Sequence, residues 1–131
     1  MYFYVEPGDD SAISKAFKKC GELMQSGKYL ETALVVPQLG NLDGLISDCI
    51  GDVATKTLQK YKKFNLNPGA IRLFTRRQPP RFFKGPLLVA FTPIDQLKAI
   101  IKDNQGADIV FVPWAINEKD FFVKEHGPTL I

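Results

Sequence analysis

Three short runs of apolar residues constrain the fold of this chain most. They are Thr32–Val36, Pro86–Phe91 and Asp108–Val112. A strand that is apolar at successive positions is buried on both faces, as in the middle of a parallel sheet. Segments with apolar residues at helical spacing separate the runs. This alternation predicts an α/β sheet with helices packed on both faces.

Two of the intervening helices have clear start and stop signals. Asp9, Asp10 and Ser11 can all cap the first helix, and Gly27 suits the position just past its end. The sequence Thr92-Pro93-Ile94-Asp95 predicts the start of another helix, because proline fits the first helical position and an acid suits the first turn. We predict that this second helix runs to about Asp103.

The complete pattern predicts five strands. They are Tyr2–Val5, Thr32–Val36, Ala70–Thr75, Pro86–Phe91 and Asp108–Val112. The segment Leu42–Phe64 is predicted to be helical, with a break at Gly51-Asp52. A chain of 131 residues has the size of one domain. We therefore expect a single α/β domain over residues 1–131, a three-layer, Rossmann-like open sheet that is mostly parallel with one antiparallel edge strand.

The connection between the third and fourth strands sets the direction of that edge strand. Only ten residues, Arg76 to Gly85, join them. A parallel crossover usually needs a dozen or more residues and a helix, so we predict that Ala70–Thr75 is the antiparallel strand. The connecting loop would then lie at the amino-terminal end of the fourth strand. That is the opposite side from the usual ligand-binding crevice of such sheets.

Positive charge is concentrated in one stretch of the chain. Residues 53–94 contain nine Lys or Arg and no Asp or Glu, whereas the whole chain has 17 basic and 14 acidic residues and a net charge of +3. The remaining residues therefore sum to 8 − 14, or −6. Such an asymmetry favours an anionic partner. The predicted polyanion-binding residues are Lys60, Lys63, Arg72, Arg76, Arg77, Arg81 and Lys84.

Within this basic stretch, the loop from Arg76 to Gly85 has the most specific composition. Its arginines suit phosphate, and Phe82 and Phe83 could stack on bases. Structural explanations also exist, because lysines favour helix carboxyl ends and paired phenylalanines often anchor a loop to the core. The leading hypothesis from sequence is a small binding module that contacts nucleic acid or an acidic partner.

A second candidate site is the crevice at the carboxyl ends of the parallel strands. Helix starts there favour anions, but the carboxylates Asp9, Asp10 and Asp43 would need a cation such as Mg²⁺ beside a phosphate. Helix capping alone also explains these acids. The alternative hypothesis is a Mg²⁺-dependent enzyme or binding protein for a small phosphorylated or nucleotide ligand. The crevice candidates are Asp9, Asp10, Ser11, Gly40, Asn41, Asp43, Thr92 and Trp114.

No motif assigns a reaction or a cofactor. The glycine-bearing segments match neither a dinucleotide fingerprint nor a P-loop. One histidine and two distant cysteines cannot form a usual zinc site. Cys20 and Cys49 fall on apolar helical faces, so we expect two buried thiols. We assign no catalytic residue, metal or cofactor, apart from Mg²⁺ under the enzyme hypothesis.

The sequence also suggests a location and a mode of association. The longest apolar stretch, around Pro86–Phe91, is too short to span a bilayer, and no secretory signal is visible. We therefore expect a cytoplasmic protein without a membrane partner. A third hypothesis is a homo-oligomeric interaction protein without catalysis. Its homodimer would form through the edge strand or the apolar tail Thr129–Ile131.

Overall fold

Seven strands form one sheet in the computed structural model, which describes residues 1–131. The strands are β1 (Tyr2–Tyr4), β2 (Glu31–Val35), β3 (Lys63–Asn65), β4 (Ala70–Phe74), β5 (Leu87–Ala90), β6 (Ile109–Val112) and β7 (Thr129–Leu130). The helices are α1 (Ala12–Gly27), α2 (Leu45–Ile50), α3 (Asp52–Tyr61), α4 (Ile94–Asp103) and α5 (Ile116–His126), and a 3₁₀ turn spans Leu39–Leu42. The predicted helix break is confirmed, because Gly51 separates α2 from α3 with a φ of +88°.

The strand order is β3-β4-β2-β5-β6-β1-β7. All neighbouring strands are parallel except β3 and β4. The predicted fold class, a mostly parallel open sheet with one antiparallel edge strand, is therefore confirmed. There are seven strands rather than five, because β3 and β7, of three and two residues, add one strand at each edge.

Helices cover both faces of the sheet and give three layers. One core, on the side of α1, α2 and α3, contains Ile13 and Leu58 together with Leu34 of β2. The other core, on the side of α4 and α5, contains Phe122 together with Val35 of β2. The successive residues Leu34 and Val35 point to opposite faces and are both fully buried, so β2 is a central strand, as its apolar run predicts.

The predicted direction of the strand Ala70–Thr75 is wrong. β4 runs parallel to β2, with Ile71 paired with Thr32. The antiparallel strand is instead β3, whose residues we predicted to end a helix. The chain enters β3 in the direction opposite to β2. The hairpin of β3 and β4 then reverses it again, so β4 runs parallel to β2. Phe64 of β3 packs against the core on the α1 side, which explains why so short a strand forms here.

β2 lies between β4 and β5, so the connection from β4 to β5 has to cross β2. This connection contains no helix. Phe83 of the connection packs edge-to-face on Phe74, with ring centroids 5.6 Å apart. The side chain of the buried Asn104 accepts a hydrogen bond from the Phe83 N–H at 3.0 Å and donates one to the Pro80 carbonyl at 3.1 Å. These contacts hold the connection on the sheet in place of a crossover helix.

This crossing gives the basic loop two locations. We call the side of the sheet where the parallel strands finish the carboxyl end and the opposite side the amino end. Arg76 and Arg77 follow β4 at the carboxyl end, whereas Gly85 precedes β5 at the amino end. The prediction that the loop lies only on the side opposite the usual ligand crevice is therefore wrong.

The tail Thr129–Ile131 belongs to the sheet. β7 pairs with β1, and the Ile131 N–H donates to the Tyr4 carbonyl at 3.0 Å. The tail thus forms a very short edge strand, and short edges limit pairing with another chain. No helix is both long and apolar enough to cross a membrane.

Candidate functional site

Two clefts open at the carboxyl end of the sheet. The one we call the basic cleft has a volume of about 850 Å³ and lies where β2 and β4 finish. It is lined by Pro37, Gln38, Leu39, Gly40, Lys62, Thr75, Arg76, Arg77 and Gln78. The one we call the tryptophan cleft has a volume of about 620 Å³ and lies where β1, β5 and β6 finish.

Hydrogen bonds tie the backbone of the basic cleft together. The Arg76 N–H donates to the Pro37 carbonyl at 3.2 Å, which joins the loop after β4 to the loop after β2. Asn41 Oδ1 accepts a hydrogen bond from the Gln38 N–H at 2.8 Å and caps the 3₁₀ turn. Lys62, which follows α3, has a left-handed conformation with a φ of +61°. The cleft is thus built from three segments that are far apart in sequence.

Positive charge dominates the basic cleft, because three cations and no carboxylate line it. Arg77 has no ion-pair partner. Arg76 Nη2 lies 3.5 Å from Asp95 Oδ2, and both of these side chains are mostly exposed. Lys62 Nζ donates to the Gln59 carbonyl at 2.8 Å. An exposed ion pair is worth at most about 1 kcal/mol, so Asp95 does little to neutralise the cleft.

Most of the other predicted polyanion-binding residues contact acids from outside the basic stretch. Glu31 Oε2 lies 2.7 Å from Arg72 Nε and 3.8 Å from Lys63 Nζ. Arg81 Nε lies 3.9 Å from Asp103 Oδ2. The absence of acids from residues 53–94 therefore does not produce one continuous basic surface.

The last two predicted residues, Lys60 and Lys84, line neither cleft at the carboxyl end. Lys60 Nζ lies 5.2 Å from the ring centroid of Tyr61. Lys84 lies at the amino end of the sheet beside Phe82, which is 86% exposed. Of the seven predicted residues, only Arg76 and Arg77 line the basic cleft.

An exposed tryptophan and a partly buried phenylalanine line the tryptophan cleft. Trp114 is 67% exposed, and its ring packs edge-to-face on Phe91 with centroids 5.1 Å apart. The Glu118 carboxylate accepts hydrogen bonds from the backbone N–H groups of Trp114 and Ala115 at 3.0 and 3.1 Å. Phe91 has a φ of +59°, which is rare for a bulky residue. The indole is thus held in place while most of its surface stays open to solvent.

The carboxylate of Asp9 accepts three hydrogen bonds at the start of α1. The donors are Lys15 Nζ at 2.6 Å and the N–H and the hydroxyl of Ser11 at 2.9 and 2.8 Å. These bonds, above all the one from Lys15, lower the pKa of Asp9 to about 2. A carboxylate of such low pKa is a weak base, so it is poorly suited to activate the Ser11 hydroxyl as a nucleophile.

Negative charge dominates the tryptophan cleft. Glu6, Asp9, Asp10 and Asp48 line it, and no Lys or Arg does. No group of three or more His, Cys, Asp or Glu side chains is arranged to hold a metal ion. Asp43, the third carboxylate of the hypothetical Mg²⁺ site, lies outside the cleft and accepts a hydrogen bond from α3. The charge of this cleft therefore disfavours a phosphorylated ligand.

The structure separates the predicted crevice residues. Asp9, Asp10, Ser11 and Trp114 line the tryptophan cleft, whereas Gly40 lines the basic cleft. The residues that line neither cleft are Asn41, Asp43 and Thr92. The last of these is fully buried, and its hydroxyl donates to the carbonyl of Ala90 at 3.1 Å.

Sequence reasoning missed Asp48 and Phe91. It counted Lys62 among the nine basic residues of 53–94 but left it out of the predicted polyanion-binding residues. Asp48 lies among the polar residues of a short helix, so nothing in the sequence marks it. Phe91 has a left-handed backbone at the cleft. Bulky residues rarely adopt this conformation, so the residue type gave no reason to expect it.

The cysteines and the histidine form no catalytic pair. Cys20 is buried, and burial raises the pKa of its thiol to about 12. Cys49 lines the tryptophan cleft and is exposed, so the prediction that it is buried is wrong. His126 packs against the rings of Tyr2 and Phe122, with centroids 5.1 and 5.4 Å away. These contacts leave neither cleft with a nucleophile beside a histidine base.

No protein-family model matches the sequence, and no curated protein matches it.

Proposed function

We propose that this protein binds a polyanion in the basic cleft, with the phosphates of nucleic acid as the ligand groups. The observation that carries the proposal is the lining of this cleft, which has three cationic side chains and no carboxylate. The cleft also lies at the carboxyl end of a parallel sheet, where ligands of such folds usually bind. A concave surface of one charge concentrates ions of the opposite charge and speeds their association.

The three cations differ in what they offer a phosphate. A guanidinium donates two parallel hydrogen bonds to one phosphate, which an ammonium cannot do. Arg77 has no ion pair that phosphate binding would break. Arg76 would lose its exposed contact with Asp95 on binding, which costs at most about 1 kcal/mol. Lys62 donates one of its three N–H groups to a carbonyl, and two stay available. We expect Arg77 to contribute most to binding.

The salt dependence of binding tests the proposal. Each phosphate that a cation neutralises releases counterions, so three contacts predict that log K falls against log salt with a slope of about −2 to −3. The variant Arg77→Ala should weaken binding to all sequences alike and make the slope shallower by about 1. The measurement is the fluorescence anisotropy of labelled single- and double-stranded DNA and RNA at several salt concentrations.

Lys84→Ala is the matched control, because it removes the same charge from the same connection at the amino end of the sheet. It should leave the slope of the salt dependence unchanged. If both variants weaken binding equally, the protein attracts nucleic acid by its overall charge and the basic cleft is not the site. If neither DNA nor RNA binds at low salt, the proposal is wrong.

A further inference from the structure

The tryptophan cleft has a charge opposite to that of the basic cleft. Of its four carboxylates, Asp9 and Glu6 are paired with lysines at 2.6 and 3.7 Å. Asp10 and Asp48 have no ion-pair partner. They come from the loop after β1 and from α2. The amino end of α1 adds roughly half a positive charge, which is too little to neutralise these two carboxylates.

The same cleft exposes a large apolar surface. Trp114 is 67% exposed and Leu45 is 54% exposed, and both line the cleft together with Phe91. Among aromatic side chains, tryptophan attracts a cation to its ring face most strongly. The cleft therefore combines an open indole with uncompensated negative charge.

This combination selects one class of ligand. A metal ion needs clustered ligands, and no such cluster is present. Asp10 and Asp48 would repel a phosphate, and a neutral apolar ligand would remove water from them without replacing its hydrogen bonds. An alkylammonium group has neither problem, because its charge complements the carboxylates and its methyl or methylene groups pack on the indole.

We infer that the tryptophan cleft binds a small organic cation of the alkylammonium class. Trp114 is its aromatic partner, and Asp10 and Asp48 supply the opposite charge. The volume of about 620 Å³ is within the range of small-molecule sites. This site is separate from the basic cleft, whose ligand is an anion, so either can exist without the other.

Choline and its neutral isostere dimethylbutanol test this site, because they share a shape and differ in charge. Trp114 is the only tryptophan of the chain, so its fluorescence reports on the cleft directly. We expect a saturable change with choline, beyond that caused by sodium chloride at equal ionic strength. The neutral alcohol should bind about tenfold more weakly. Titration calorimetry gives the same comparison without relying on fluorescence.

Two variants that each remove one negative charge test whether choline binds in the tryptophan cleft. Asp48→Asn should weaken choline binding several-fold, and Glu125→Gln, which removes an equal charge outside the cleft, should not change it. Both residues are exposed, so neither variant should unfold the protein. Equal affinity for choline and the alcohol would overturn the inference, because the cleft would then be an uncharged apolar site. An absence of choline binding, or equal effects of the two variants, would overturn it as well.

Discussion

Gln96 of α4 has a buried side-chain amide, and neither its oxygen nor its nitrogen has a hydrogen-bond partner. Nearly all buried polar groups have such a partner, since an unpaired one costs about 1–3 kcal/mol. Gln96 lies on the same buried helix face as Leu97 and Ile100. An apolar residue would suit its surroundings better.

We expect Gln96→Met to stabilise the protein by about 1–3 kcal/mol, because methionine has a similar shape and no group to leave unpaired. Urea unfolding of the variant and the wild type measures this change. Gln105→Met is the control, since Gln105 is exposed and its replacement should shift stability by less than about 0.5 kcal/mol. A loss of stability in Gln96→Met would show that the amide has a partner, such as a bound water, in solution.

The carboxylate of Asp9, in the loop before α1, leads to a second prediction, on pH dependence. Hydrogen bonds from Lys15 and Ser11 lower the pKa of Asp9 to about 2 in the folded protein. The unfolded value is about 3.9, so the stabilisation is complete above about pH 5 and is lost as the pH falls through 2. We expect Asp9→Asn to have a lower Tm than the wild type at neutral pH. This difference should shrink as the pH falls from about 5 to about 2, and a difference independent of pH would contradict the ionic role of Asp9.

Among the elements, the crossover from β4 to β5 is held partly by one buried side chain. Asn104 is 3% exposed and bonds the Phe83 N–H and the carbonyls of Pro80 and Ile100. The connection contains no helix, and the contact of Phe83 with Phe74 and backbone bonds of Arg76 and Phe82 also hold it. Removing the amide leaves buried backbone groups without partners.

We therefore expect Asn104→Ala to lower the free energy of unfolding by about 2–3 kcal/mol. Chemical denaturation measures this loss. Asn117→Ala is the matched control, because Asn117 is exposed and should tolerate the change within about 0.5 kcal/mol. Equal stability of the two variants would show that the crossover does not need the Asn104 bonds.

The long elements could be predicted from sequence, and the two shortest strands could not. The carboxyl end of α4 and the central strands agree with the sequence pattern, whereas α1 includes Gly27 and ends at a left-handed Lys28, and α4 begins one residue after Pro93. β3 and β7 are too short to show a periodic pattern, and each forms only because a distant strand offers backbone partners. Missing β3 was enough to reverse the predicted direction of β4 and to move the basic loop to the wrong side of the sheet.

At the scale of the whole molecule, charge is divided between two clefts of opposite sign at one end of the sheet. The sequence predicts an anionic partner but not where its charge would collect, because folding brings Glu31, Asp95 and Asp103 to basic side chains of residues 53–94. These acids are far from their partners in sequence. Likewise, Lys62 joins the two arginines only through the hairpin of β3 and β4.

Under the proposed function, anions bind at the carboxyl end of the sheet and not along the whole basic loop. Amide proton–nitrogen NMR spectra of the protein, titrated with a short single-stranded DNA at low salt, test this most directly. We expect shifts at Gln38, Gly40 and Arg77, with little change at Phe82 and Lys84. Shifts concentrated at Phe82 and Lys84, or spread evenly over every basic surface, would contradict it.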